Sequence, residues 1–315
     1  MIDLQLRSAL LANLGDLTAG DRIAVGLSGG ADSVALLRAA LHVGTELSLD
    51  VAAVIIDHQL QSDSASISAN AAKLATELGT EVVEVIPVDV MSGAGSGGME
   101  AAARNARRTA FELYAGAHYV KAVLLGHTRD DQAETVLLGL ARGSGARSLS
   151  GMREVDGLYR RPFIHVDRET VRASVSDLAI FEDPHNDDPR FSRVRVRHSV
   201  LPVLESELGP GVAQALARTA DMLRDDADAL DALAKEAHSD NIADLEKLPQ
   251  AIRTRVIRAL LIAAGATIND LTRDHVLAVD ALVTSWHGQG PLNLPGAINV
   301  SRAHGKLILT KAPKE

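Results

Sequence analysis

Two segments of the chain carry residue types at spacings that handle phosphate groups. Ser28-Gly29-Gly30-Ala31-Asp32-Ser33 follows the apolar run Ile23–Leu27 and precedes Val34-Ala35-Leu36-Leu37. Glycines at 29 and 30 let backbone amides approach a ligand, and successive N–H groups at a helix start form an anion cradle. The same residues would also serve as an ordinary strand-to-helix turn with a Ser or Asp cap. The lysine of a Walker loop is missing, which excludes a Walker nucleoside triphosphatase. The second segment, Gly126-His127-Thr128-Arg129-Asp130-Asp131-Gln132-Ala133-Glu134-Thr135, again stands between an apolar run and a helical pattern. Ends of different strands converge on one crevice in open parallel sheets, so Asp131 is expected to face Asp32 across a bound triphosphate. Two carboxylates together with phosphate oxygens suit Mg²⁺. The plain alternative is that Asp130, Asp131 and Glu134 complement the helix dipole, and Glu134 is read no further than that.

These loops need a sheet to hold them. Ile23–Leu27, Val51–Ile56, Val82–Val88 and Ala122–Leu125 read as strands. Helices are expected from Val34 to about Val43, over 64–78, over Met99–Ala117 and from near Asp130. Strands separated by helices of this length predict an α/β fold, a parallel sheet with helices on both faces. The Gly-rich run Ser92–Gly98 is expected to be a mobile loop. After about Leu204 the chain turns Ala/Leu/Asp-rich, with helices expected over 210–238, 248–264 and 272–285 and short extended pieces around Asn293, Ile298–Val300 and Leu307–Leu309. A length of 315 residues at about 100–200 per domain predicts two domains, placed at 1–205 and 206–315, the second smaller and mainly helical.

Composition bounds the chemistry. Hydrophobic residues are 46% and charged residues 23%, ordinary for a globular chain. The absence of cysteine excludes a disulfide scaffold, a zinc–thiolate site, an iron–sulfur cluster and a cysteine nucleophile. A net charge of −9 argues against a nucleic-acid partner, but the charge is uneven: residues 221–240 hold seven acids against two bases, whereas 190–198 hold four arginines and 251–258 hold three, neither with an acid. Aromatic residues are scarce at 3%, which disfavours a base-stacking platform. No apolar run reaches the roughly 20 residues needed to span a bilayer, and the first residues do not read as a signal peptide. A cytoplasmic protein with no membrane partner is expected.

The order Ser-Gly-Gly-x-Asp-Ser after a hydrophobic strand resembles the PP-loop of ATP pyrophosphatases, which cleave ATP to AMP and pyrophosphate. Further motifs follow in order: Arg142-Gly143-Ser144-Gly145, Leu149-Ser150-Gly151-Met152, Arg161-Pro162-Phe163-Ile164, Glu182-Asp183-Pro184-His185-Asn186-Asp187, Phe191–Arg197 and Leu201-Pro202. Over about residues 20–205 the chain resembles the tRNA(Ile)-lysidine synthetase family in its short form with one C-terminal domain. That resemblance implies attachment of free L-lysine to C2 of the wobble cytidine of an isoleucine tRNA with a CAU anticodon, through an adenylated cytidine, with release of AMP and pyrophosphate. It implies ATP as substrate, bound by Ser28, Gly29, Gly30, Ala31, Asp32 and Ser33, with Ile56 and His58 near the adenosine. It further implies Mg²⁺ on Asp32 and Asp131, and allows a homodimer.

The family's Glu-x-x-Ala-Arg-x-x-Arg helix falls on Glu100, Ala103, Arg104 and Arg107, which assigns Arg104 and Arg107 to the ATP or lysine pocket. The aromatic usual after the second arginine is Arg108 here. A family histidine falls on His127, which with an ordinary pKa of about 6.5 is a candidate base for the lysine amine or an orienter of phosphate. Arg193, Arg195 and Arg197, with a valine where the family commonly shows asparagine, are assigned to tRNA phosphates; a solvated helix face is the plain alternative. A lone strand-end histidine such as His58 is often only structural, and Trp286 is read as a core or turn anchor. Cysteine-dependent tRNA thiolases are disfavoured. An amidating PP-loop enzyme and a non-catalytic nucleotide-binding protein remain as competing readings.

Overall fold

The computed structural model describes residues 2–59, 63–90, 98–143, 145–180, 188–268 and 270–311. Its first element, α1 (Leu4–Leu14), was not expected from the sequence. Asp3 caps it by accepting the N–H groups of Gln5 and Leu6, and Leu6, Leu10 and Leu14 are buried at four-residue spacing. Strand and helix then alternate: β1 (Arg22–Gly26), α2 (Ala31–Leu47), β2 (Asp50–Asp57), α3 (Ser64–Glu77), β3 (Val82–Pro87), α4 (Gly98–His118) and β4 (Val120–Leu124). There follow α5 (Arg129–Ala141), α6 (Ala146–Leu149), the two-residue strands β5 (Val155–Asp156) and β6 (Tyr159–Arg160), and α7 (Arg168–Ala173). Helix α8 (Ser192–Arg195) runs through a π-helical turn at Val196–Val200 into α9 (Leu201–Leu208). The Gly-rich run at 92–97, Ser144, the motif at 182–187 and the side chain of Glu100 lie outside the described residues.

The sheet has strand order β3-β2-β1-β4-β6-β5, parallel throughout except for the β5–β6 pair. Alternate residues feed opposite faces. Ile23, Val25, Ala53, Ile55, Ala122 and Leu124 pack with α1 and α2, whereas Ala24, Val54 and Val123 pack with Phe111 and Tyr114 of α4. Both faces are therefore apolar, which is why the strands read as continuous hydrophobic runs rather than as an alternation. The order reverses between β1 and β4, and the loops that leave their carboxyl ends are Ser28–Ser33 and Gly126–Thr135.

Gly126 sets how close these two loops come. A Cβ placed there would lie 2.8 Å from the carbonyl oxygen and 3.0 Å from the carbonyl carbon of Asp32. Only hydrogen fits between the two backbones.

The chain divides into two compact units, Met1–Asp221 and Met222–Glu315, and the division falls within α10 (Val212–Glu236). The second unit contains α11 (Ile242–Leu245), α12 (Gln250–Ala263), α13 (Arg273–Thr284) and an antiparallel sheet of β7 (Leu292–Leu294), β8 (Ile298–Ala303) and β9 (Lys306–Lys311). Its core joins Leu245, Val256, Ile257, Leu261, Leu282 and Ile298. No helix of the described residues is long and apolar enough to cross a membrane.

Gly126→Ala should destabilise the first unit by about 1–3 kcal/mol, the usual cost of overpacking, and should weaken ATP binding by prising the loops apart. Calorimetric unfolding with and without ATP tests this; an unchanged midpoint would show that the loops separate freely.

Candidate active site

The first loop is closed on itself. Gly29 takes a φ of 86°, in the left-handed region that glycine adopts without strain. Ser33 Oγ donates to the carbonyl of Gly30 at 2.8 Å and accepts the N–H of Ser28 at 3.2 Å. No side chain caps α2, so its amide end, with the positive pole of the helix, is presented to the loop.

The second loop is held by its own carboxylates. Asp131 Oδ2 accepts the backbone N–H and the hydroxyl of Thr128 at 2.8 and 2.9 Å, closing the first turn of α5. Gln132 is buried, and its amide group pairs with both backbone groups of Met152. Gly151 at φ 61° makes room for it: a Cβ there would lie 2.4 Å from Gln132 Oε1. The sequence motif at 149–152 is thereby a receptor for Gln132.

Glu134 is fully buried, and its carboxylate is the meeting point of three arginines. Oε1 accepts Arg197 Nε at 2.7 Å and Arg168 Nη1 at 3.1 Å; Oε2 accepts Arg193 Nε at 3.0 Å and Arg197 Nη2 at 3.2 Å. A carboxylate offers about four acceptor positions, and all are filled. This corrects the dipole-only reading of Glu134. Arg193 and Arg197, expected on tRNA phosphates, stand one helical turn apart and turn inward to Glu134, with Arg197 also 3.3 Å from Asp131 Oδ1. Arg195 points elsewhere: it donates to the carbonyls of Pro189 and Arg190 and to Ser192 Oγ, and is exposed. In the second unit Arg253 forms a buried pair with Asp280 at 2.6 Å and Arg255 meets Asp231, so the acid-free stretch 251–258 is paired within the fold.

Asp32 and Asp131 share one cation. Arg168 places Nη2 2.9 Å from Asp131 Oδ1 and Nε 3.7 Å from Asp32 Oδ2, while Arg172 Nε lies 3.6 Å from Asp32 Oδ1. Burial pushes the Asp32 carboxyl above its ordinary range, against the opposing pull of Arg168. Asp131 lies below its ordinary range: burial by itself would raise it, and the Arg168 guanidinium and the Thr128 N–H outweigh that. As a test of fit to Mg²⁺, Asp32 Oδ1 is a buried anionic oxygen with no hydrogen-bond donor in the protein, which suits a hard cation. Asp131 Oδ1 can join it on release of the arginines. Among the described residues no three His, Asp or Glu side chains form a metal cage by themselves, so phosphate oxygens would complete the coordination.

Beside the loops a pocket opens at the carboxyl end of β1 and β2, lined by Gly26, Ser28, Ile56, His58, Arg107 and Phe111 among others. Burial and Arg107 lower the His58 pKa, and its Nδ1 is buried without a protein partner. Arg104 and Arg107 occupy successive turns of α4; Arg107 is the more enclosed, and burial and Arg104 lower its pKa. Arg108, in the place of the family's aromatic, lies over the Tyr159 ring at 5.4 Å. His127 is enclosed near Asp131 and Arg161, and burial pushes its imidazole down to about 3. It is therefore neutral at working pH, as expected, and a weaker proton acceptor than a free imidazole.

The structure thus places Ser28, Ile56, His58 and Arg107 around one pocket and Asp32, Asp131 and His127 beside it, adds Arg193 and Arg197 to the acids, and leaves Arg104 and Arg195 exposed. Sequence reasoning missed Arg168 and the buried Arg161. Arg168 had one local signal: it is the first residue of α7, where a positive charge opposes the helix dipole.

The two aspartates should respond oppositely to amidation. The Asp32 pKa is higher folded than unfolded, so stability falls as pH rises from the unfolded value through the folded one. Asp32→Asn removes that cost, and the apo midpoint at pH 7 should hold or rise. The Asp131 pKa is lower folded, so its contribution is present above the unfolded value and lost as pH falls through the folded one. Asp131→Asn should cost about 3 kcal/mol at pH 7, with the gap to wild type closing in acid. Thermal unfolding from pH 3 to 7 checks both; equal losses for the two variants would refute the distinction.

The comparisons with known proteins agree with this architecture. A PP-loop domain model matches residues 4–204, and a TilS substrate-binding domain model matches residues 241–308. The tRNA(Ile)-lysidine synthase of Thermobifida fusca is 50% identical over 97% of this chain and 96% of its own length. That of Streptomyces coelicolor is 48% identical over 91% of this chain and 84% of its own. Among solved structures, a U34-tRNA thiolase from Methanococcus maripaludis, described with its [4Fe-4S] cluster, superposes with a TM-score of 0.57 at 17% identity, over 70% of this chain and 78% of the thiolase. That likeness is one of fold; this chain has no cysteine to hold such a cluster. With the phosphate loop, the carboxylate loop and near full-length identity in agreement, the chain belongs to the tRNA(Ile)-lysidine synthase family of PP-loop enzymes.

Proposed function

We propose that this protein uses ATP to join free L-lysine to C2 of the wobble cytidine of an isoleucine tRNA with a CAU anticodon. The observation that carries the reading is the convergence, at the switch point of the sheet, of a glycine-rich anion cradle, a pocket beside it and an enclosed arginine. The cradle at Ser28–Ser33 and the amide end of α2 take the polyphosphate. The adenosine enters the pocket between Gly26, Ile56 and His58, and the neutral His58 offers a ring nitrogen to it. Arg107, with Arg104, faces the charge that develops on the α-phosphate.

The C2 carbonyl oxygen of cytidine attacks the α-phosphorus, and the bond from that phosphorus to the pyrophosphate oxygen breaks. The lysine ε-amine then attacks C2; the C2–O bond breaks and the oxygen leaves with AMP. Held by Asp32 and Asp131, Mg²⁺ would neutralise the departing pyrophosphate. His127, neutral and enclosed, orients phosphate or the carbonyl by hydrogen bonding, and the proton that the lysine amine loses on attack passes to solvent water. Arg195 meets tRNA phosphate from the exposed side of α8, while Arg193 and Arg197 hold the helix in place.

Purified protein with ATP, Mg²⁺ and labelled lysine should release AMP and label an isoleucine CAU transcript, and should do neither with lysine or tRNA omitted. AMP formed with ammonia and a small acid instead would replace this reading by the amidating one. Asp32→Asn should abolish turnover while the protein stays folded. Arg195→Ala should weaken tRNA binding and reduce the slope of log affinity against log salt by about one phosphate contact, with ATP binding unchanged. A slope unaltered from wild type would remove Arg195 from the RNA interface.

A further inference from the structure

Arg168 is placed where a divalent cation bound to Asp32 and Asp131 would feel it most. Its guanidinium touches Asp131 at 2.9 Å and Glu134 at 3.1 Å, and stops 3.7 Å short of Asp32. On that unclosed side its buried Nε and the buried Asp32 Oδ1 each lack a hydrogen-bond partner in the protein. The backbone N–H of Arg168 is tied to Asp130 Oδ2 at 2.9 Å, which anchors the residue to the carboxylate loop. A cation at the start of α7 gains nothing from its own helix; its position is set by the acids it faces.

We propose that Arg168 is a positioning residue that makes divalent-cation binding at Asp32 conditional on bound nucleotide; the proposal rests on the metal reading of Asp32. Without nucleotide, the guanidinium supplies the positive charge these carboxylates need and repels a second cation from the same few ångströms. A polyphosphate reverses the balance. Its oxygens match the planar fork of a guanidinium and add enough negative charge for the metal and Arg168 to be held together. The metal then enters with ATP rather than ahead of it. Glu134 keeps Arg193 and Arg197 when Arg168 is removed, so the arginine cluster survives the substitution. Arg172 also approaches Asp32, at 3.6 Å, but its side chain is 46% exposed, so solvent screens it.

The test is binding of Mn²⁺ alone, followed by electron paramagnetic resonance, with folding checked by thermal melts. Arg168→Gln and Arg168→Met should each tighten Mn²⁺ binding without nucleotide by about tenfold, a typical coupling between sites. Arg168→Lys, which keeps the charge, and Arg172→Gln should stay near wild type. With an α,β-methylene ATP analogue present, wild type and the neutral variants should bind Mn²⁺ alike. No gain in either folded neutral variant, or an equal gain in Arg168→Lys, overturns the proposal. Adding Asp32→Asn to Arg168→Gln should abolish the gain; a gain that persists would place the metal away from Asp32 and so refute the metal reading instead.

Discussion

The carboxylate of Glu134 is the contact on which the site is organised. A fully buried anion is tolerated only when paired and hydrogen-bonded, and here four hydrogen bonds from three arginines satisfy it. Those arginines come from distant parts of the chain. Arg168 begins α7, and Arg193 and Arg197 lie on α8 and the π-helical turn beyond it. One side chain of α5 thereby gathers segments that no sheet hydrogen bond reaches. The apolar neighbours follow the same geometry, with Val196 and Leu201 packed against Ala133 of α5.

The same cluster arranges the charges that ATP chemistry needs. Asp131 is held ionised by Arg168 and the Thr128 N–H, whereas Asp32 is left undercompensated by burial. Asp131 Oδ2 is bonded within its own helix turn, whereas Asp32 Oδ1 is buried without a hydrogen-bond donor. A site whose charges are only partly satisfied without ligand is set to gain more from a charged ligand than a fully neutralised site would. The cost is borne in the stability of the free protein.

Net charge is a poor guide to partners in such a molecule. Much of the arginine content outside the site is spent internally, as in the buried pair of Arg253 with Asp280 and the bond of Arg258 to the Leu271 carbonyl. Arg195 is exposed yet likewise bonded to the carbonyls of Pro189 and Arg190, so a count of arginines does not measure a basic field.

Much of this was legible without a structure, for local reasons. The strands β1, β2 and β4 are apolar on both faces, and the positions of α3, α10, α12 and α13 follow from composition and helical spacing. Ser28–Ser33 and Gly126–Thr135 declare themselves because phosphate binding needs glycine, a helix start and nearby acids in a short stretch. What the linear chain could not reveal was pairing. Nothing in its spacing links Glu134 to Arg168 or Arg197, since charge–charge contacts across tens of residues leave no periodic trace. Nor does an ordinary histidine reveal that enclosure will push its pKa down to about 3. The sheet, the two glycine-bearing loops at its switch point and the family are all readable from residue order and spacing. Which arginines face inward, which aspartate carboxyl burial raises and which imidazole it lowers emerge only on folding, because burial and opposite charge at a few ångströms are properties of the folded state.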